Sequence, residues 1–233
     1  MSRILLIAIL MAATGPALAQ PDAEYAIRWS PKEGGPADLD SASGLLRVDG
    51  KASNYTIGYY EITGFAGGPA GFAPILRERL KGDKADTTWK YRGAATFPPG
   101  ASDAWTCPLN KESKRKDEVD VSLLSDASVK RSFSRSCTAG VELKKALPAG
   151  LTASRKGCSS AMRRRESKDG DVTIEEWRMS NGDVLLEVSA KGRDDSQALA
   201  AFRDRFVKPL IATGIHPQDR SKTEIGTQCS ASF

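Results

Sequence analysis

The sequence predicts an α+β fold, an antiparallel β-barrel or tunnel with a few covering helices. Several segments alternate apolar and polar residues with the period of two that a half-buried strand requires. Short polar turns join some of them as hairpins, and helical spacing is confined to a few stretches. Strands with one polar face are accommodated if the sheet closes, with polar faces turned into the lumen and apolar faces covered by helices.

The first strand is read at 24–30, with Tyr25, Ile27 and Trp29 on one face and Glu24, Ala26 and Arg28 on the other. A Pro/Gly-rich loop at 31–36 leads to a short helix near 37–46, then to a strand at 55–62 rich in β-branched and aromatic residues. Residues 64–71 form a glycine-rich connector. The stretch 72–80 suits either period, because Phe72, Ile75, Leu76 and Leu80 also make a helical stripe. The polar turn at 82–86 and the matching alternation of 87–93 decide for a hairpin. Further on, 117–123 sets Glu118, Asp120 and Ser122 against Val119, Val121 and Leu123. A short helix at 141–147 stops at Pro148, while 158–170 is charged and without pattern. Strands at 172–179 and 184–191 flank Asn181-Gly182, a pair suited to a tight turn with positive φ. Asp194 and Asp195 then cap a helix whose Ala198, Leu199, Phe202 and Phe206 recur at helical spacing before Pro209 ends or bends it.

Arg3, an apolar run at 4–13 and the small-residue triplet Ala17-Leu18-Ala19 read as a secretory signal peptide, residues 1–19. The run is well short of the roughly 20 apolar residues of a membrane span. Residues 20–233 are expected to form a single domain in the periplasm or outside the cell. Cys107, Cys137, Cys158 and Cys229 are an even set in an exported chain and predict two disulfides, with three pairings open. No Cys-x-x-Cys pair is present, and His216, beside Pro217, is the sole histidine, which disfavours a zinc site. Neither a Gly-x-Ser-x-Gly elbow nor a Walker loop occurs.

Net charge is +5, and its distribution is more informative than its size. Arg77 and Arg79 share a strand face, as do Lys90 and Arg92, so one hairpin lines a sheet face with cations while Leu76, Leu80, Trp89 and Tyr91 point elsewhere. Such a face is a floor for a polyanion. The basic runs at 111–116 and 163–165 read as solvated loops. Nucleic acid is not an expected partner, since no recognition motif occurs and aromatic residues are sparse.

Three passages, EYAIR at the start, LRERLKGDKADTTWKYR in the middle, and LLEVSAKGRDD followed by a helix and RSKTE at the end, resemble the CYTH or triphosphate tunnel metalloenzyme family. That resemblance implies an antiparallel barrel whose lumen binds triphosphates. Arg77 and Arg79 match the family's Arg-x-Arg strand, Lys90 the lysine of the next strand, and Ser221-Lys222 the closing Ser-Lys feature. The usual Glu-x-Glu-x-Lys start corresponds here to Glu24, Ala26 and Arg28, and the late Glu-x-Glu pair to Glu187 and Ser189. Glu118 and Asp120 resemble the paired acids of the middle strand.

The resemblance therefore implies that Arg28, Arg77, Arg79, Lys90, Arg92 and Lys222 bind a phosphorylated or polyanionic ligand. Glu24, Glu118, Asp120 and Glu187 would hold Mg²⁺ or Mn²⁺, hard ions that prefer carboxylate oxygens. With two expected acids replaced, binding is favoured over catalysis, and metal-dependent triphosphatase activity would be residual. The competing class is a non-enzymatic envelope protein that retains the barrel as an interaction scaffold.

Overall fold

In the computed structural model, residues 22–65, 73–93 and 107–229 are described. They form nine strands: β1 (Asp22–Trp29), β2 (Ala52–Thr63), β3 (Ala73–Lys81), β4 (Lys84–Arg92), β5 (Glu112–Leu123), β6 (Val129–Ala139), β7 (Thr152–Glu166), β8 (Val172–Met179) and β9 (Val184–Arg193). The strands close into a barrel in the order β1-β5-β6-β4-β3-β2-β7-β8-β9. β1 lies parallel to β5, and the other pairs in the described barrel are antiparallel. The predicted leader and most of the connector at 64–71 lie outside the described residues.

The alternation read in the sequence decides which face of each strand is covered. Tyr25, Ile27 and Trp29 of β1, Val119, Val121 and Leu123 of β5, and Leu186 and Val188 of β9 form one outer core. It is covered by α1 (Leu39–Leu46) and by α3 (Ser196–Phe202) with its continuation, whose Phe202, Phe206 and Leu210 are buried there. Asp38 caps α1 and Asp195 caps α3, each accepting from a backbone N–H in the first turn. Buried Glu176 on the outer face of β8 accepts from Leu39 N at 2.8 Å, docking the start of α1. A second outer core gathers Leu76, Trp89 and Tyr91 from β3 and β4 around the short α2 (Leu143–Ala146), as the hairpin reading requires.

Several sequence expectations are corrected. The turn between β3 and β4 is tighter than 82–86, only Gly82-Asp83, with Gly82 at φ +58°. Of the two outcomes expected at Pro209, an end or a bend, the helix does not end. A π-helical turn, Arg203–Val207, precedes it, and α4 (Lys208–Ala212) continues through the proline. The wider turn accommodates a residue that has no N–H to donate and whose ring crowds the preceding turn. The basic run at 111–116 lies mostly in β5, and 163–165 lies in β7, rather than in loops. Arg163 and Arg165 both reach Asp40 on α1, at 2.9 and 2.7 Å, and so tie the helix to the barrel.

Of the three cysteine pairings, the chain adopts Cys107–Cys137 and Cys158–Cys229, with Cα–Cα distances of 5.9 and 5.4 Å. The second bridge ties the end of α5 (Lys222–Gln228) to β7. This helix sits very close to the barrel: a Cβ on Gly157, at φ +70°, would lie 2.0 Å from Gly226 O. Gly157→Ala is therefore expected to destabilise the fold by more than ~1 kcal/mol, from both the left-handed backbone and the clash. An unchanged denaturation midpoint would contradict that packing.

Candidate functional site

The barrel directs the polar alternates of its strands into the lumen. Arg77 and Arg79 of β3, Lys90 and Arg92 of β4, Glu24 of β1, Glu118 of β5 and Lys222 of α5 all line one cavity of about 360 Å³. Arg28 and Asp120 line an adjoining cavity of about 620 Å³, and Tyr59, Ile75, Arg92 and Thr223 border both. The charged compartment thus adjoins a larger cavity bordered by Tyr60, Ile62 and Phe65, which also pack on the second outer core, as well as by polar groups. The cationic hairpin faces inward.

Glu24, Glu118 and Asp120 present carboxylate oxygens within 4.8 Å of one another. β1 and β5 are parallel neighbours with Glu24 opposite Asp120, so register alone brings the acids together. Burial tends to raise the Glu24 carboxyl, but Lys222, a hydrogen bond with Glu118, and Lys90 and Lys116 together hold it well below the usual range. Burial, only partly opposed by Lys90, pushes Glu118 up, and the Glu24 charge adds to the shift. Burial likewise works against Asp120, yet Lys90 and Arg92 hold its carboxyl low. Of the three crowded acids, Glu118 is the one that retains a proton most readily, as like charges in a buried site require. Three close carboxylates of this kind fit a divalent ion that prefers oxygen ligands.

Glu187, the fourth predicted ligand, is placed differently. It accepts from Arg28 Nε and from Lys222 Nζ, the latter at 2.6 Å, and lies outside the trio. Lys222 bridges it to Glu175, also at 2.6 Å, and stands 5.4 Å from the centre of the Trp177 ring. Burial disfavours the Lys222 ammonium, but Glu175, Glu187 and Glu24 outweigh it and raise its pKa. Ser221 caps α5 in a reciprocal box with Glu224, which fixes Lys222 at the first helical position with its amine turned inward.

The cations differ in how they are engaged. Arg79 Nε pairs with Asp86 at 2.8 Å; Arg92 Nε pairs with Asp120 at 2.9 Å, and Lys90 approaches the same acid at 3.5 Å. Burial, with the neighbouring Arg92 charge, lowers the Lys90 pKa. Arg77 has no carboxylate partner among the described residues. Its Nη2 makes a long contact to Thr88 at 3.5 Å, and its Nε is buried with no hydrogen-bond partner. A buried guanidinium nitrogen left unsatisfied carries a desolvation cost that an anion would remove.

Sequence reasoning missed Lys114, Lys116, Arg164 and Glu175, which line the charged compartment as well. Lys116 pairs with Glu118 at 2.8 Å and shares its strand face at a spacing of two, a signal that was present once the strand was extended backwards. Glu175 shares a face with Thr173 and Trp177 in a strand the sequence did show. His216 lies in a loop and is exposed.

No protein-family model matches the chain, and a search of curated proteins found no match. Solved structures align with it at low identity. They include the PH1819 protein from Pyrococcus horikoshii OT3, at 10% identity and TM-score 0.47 over 87% of this chain and 97% of that one. The PH1012 protein of the same organism aligns at 12% identity and TM-score 0.46, over 87% and 98%. A Hippeastrum protein described as having a dominant triphosphatase activity aligns at 11% identity and TM-score 0.46, over 88% and 94%.

Proposed function

We propose that the chain is an exported protein, made as a leader of residues 1–19 and a single domain of 20–233, that binds a phosphorylated polyanion inside its barrel. The observation that carries this reading is Arg77: a cation with an unsatisfied buried nitrogen, facing a compartment where Arg79, Lys90, Arg92 and Lys222 converge. Arginine offers a planar fork matched to phosphate oxygens and lysine adds a point charge, and rigid strands hold both in place before a ligand arrives. The two disulfides are consistent with an oxidising compartment, and among the described residues no helix is long and apolar enough to cross a membrane.

Glu24, Glu118 and Asp120 would hold Mg²⁺ or Mn²⁺, which when bound polarises a phosphoryl oxygen and positions water. The chain's own residues do the binding. Arg77 and Arg79 grip phosphate oxygens from β3, Lys90 and Arg92 exchange part of their contact with Asp120 for the ligand, and Lys222 adds charge from the opposite wall. Phosphoanhydride hydrolysis is a residual activity in this reading. Asp120→Asn is expected to weaken Mn²⁺ binding at least about tenfold in calorimetry, the loss of one charged ligand interaction. Unchanged Mn²⁺ affinity would remove the trio as the metal site.

One observation favours the competing scaffold reading: Arg79, Lys90, Arg92 and Lys222 already have carboxylate partners, so much of the lumen is neutralised from within. Calorimetry with inorganic triphosphate and Mn²⁺, beside a malachite-green phosphate assay, separates the cases. Binding with phosphate release supports a triphosphatase, and binding without release leaves a ligand-binding protein. Absence of binding to this probe supports the scaffold.

A further inference from the structure

We infer that Cys158–Cys229 is a thiol-exchange site that controls the seating of α5, and through it the ligand compartment. α5 contributes Lys222 and Thr223 to the charged cavity, and Thr223, Glu224 and Thr227 to the larger one. Whatever holds this helix therefore holds one wall of the lumen.

The two ends of α5 are held by different means. Upstream, Gln218 N donates to Arg28 O at 2.8 Å, Pro217 bridges to Trp29, and Asp219 accepts from Ser125 N and Oγ at 2.8 and 3.0 Å. Lys222 adds its two ion pairs at the first turn. Downstream, Ile225 and Gly226 are the buried residues of the helix, and the covalent link from Cys229 to Cys158 follows at once. A helix of seven residues is too short to persist without such external support. The bridge is the covalent fixture of its C-terminal half, beside the packing of Ile225 and Gly226 on the barrel.

The two cysteines are unequally exposed. Cys158 is 1% exposed, whereas Cys229 is half-buried at the end of the helix, beside exposed Gln228. A thiolate of an external dithiol attacks the Cys229 sulfur, the S–S bond breaks, and Cys158 leaves as a thiolate that takes up a proton. The second thiol of the dithiol then attacks the mixed disulfide and releases Cys229 as a thiol. Two electrons and two protons pass from the dithiol, which becomes a disulfide. The other bridge, with Cys107 9% and Cys137 0% exposed, offers no comparable approach.

Dithiothreitol treatment of the full mature chain, followed by hydrogen exchange, tests the assignment. Cys158–Cys229 is expected to open before Cys107–Cys137. The amides of 222–228 should then exchange at least tenfold faster while those of the strands stay protected, and reoxidation should reverse the change. Cys229→Ser should show the same fast exchange without reductant. The consequence for ligand rests on the function proposed above: affinity for inorganic triphosphate with Mn²⁺ should fall about tenfold on reduction. If the oxidised protein does not bind triphosphate yet α5 loosens on reduction, that function fails and the latch stands. Unchanged α5 exchange in the reduced protein, strand amides opening in step with α5, or earlier opening of Cys107–Cys137 would each overturn the latch.

Discussion

Replacing Lys222 with methionine is expected to destabilise the protein by about 3–5 kcal/mol, the usual cost of removing one partner of a buried ion pair. Methionine retains most of the volume, so the loss is electrostatic. Lys222 is the shared cation of Glu175 and Glu187, which are 7% and 2% exposed, and each of its contacts is 2.6 Å. Its removal leaves two buried carboxylates facing each other, with Arg28 still on Glu187 and Arg164 4.0 Å from Glu175. Denaturant titration measures the effect, and a change below about 1 kcal/mol, the range of exposed pairs, would show the cluster to be effectively solvated.

The pH dependence of that difference has a definite sign. Burial opposes ionisation of Glu175, but Lys222 and Arg164 outweigh it and lower its pKa. Its stabilising contribution is complete above the ordinary carboxylate pKa of 4.5 and is lost as pH falls through the depressed folded value. The pKa of Lys222 is raised, so its contribution is complete below 10.5 and is lost as pH rises through the folded value. The gap between wild type and Lys222→Met should therefore be widest between these limits. It should narrow on acidification, because in the variant the Glu175 carboxylate, left without Lys222, gains most from protonation. A gap that widened toward acid would contradict the assignment.

The double substitution Arg77→Ala, Arg79→Ala is expected to weaken inorganic triphosphate binding by at least about 100-fold, since a hydrogen bond to a charged group is worth roughly 1.5–3 kcal/mol. Its effect on folding should be much smaller. Arg77 satisfies no carboxylate among the described residues, and Arg79 releases Asp86, whose side chain is 24% exposed, together with a cation–π contact to the Tyr55 ring at 5.3 Å. Calorimetry measures affinity, and circular dichroism with a thermal melt checks the fold. Unchanged affinity in a folded double variant would remove this face as the ligand site. The two predictions differ in kind: Lys222 is held in buried ion pairs, whereas Arg77 has no carboxylate partner among the described residues.

The local chemistry of the strands was legible wherever one face was apolar. Glu24 to Trp29 and the hairpin from Leu76 to Arg92 alternate because their outer faces pack beneath helices or other buried segments, while the pair around Asn181-Gly182 is marked by its turn, with Gly182 at φ +85°. β6 and β7 were not legible. Ser132, Ser134, Ser136 and Thr138 turn inward on β6 while Arg131 and Arg135 turn outward, and β7 carries Arg155, Lys156 and 163–165. The apolar residues of their buried faces, Phe133, Cys137 and Ala139 on β6 and Cys158 and Met162 on β7, share those faces with arginine or serine, so the hydrophobic period is too broken for pattern reading to detect.

By itself the sequence determined that these strands present cations and acids on one face, that the helices cover the other, and that the cysteines form an even set. Only the closed barrel decided which charges meet. The parallel placement of β1 beside β5 brought Glu24 opposite Asp120, a contact between segments far apart in the chain. Closure also gave Glu187 to Arg28 and Lys222 rather than to the acidic trio, and selected Cys158–Cys229 from the open pairings. Periodicity fixes the side on which a residue lies, because that depends on its neighbours in sequence. Partners across a lumen depend on strand order and register, which no local pattern carries.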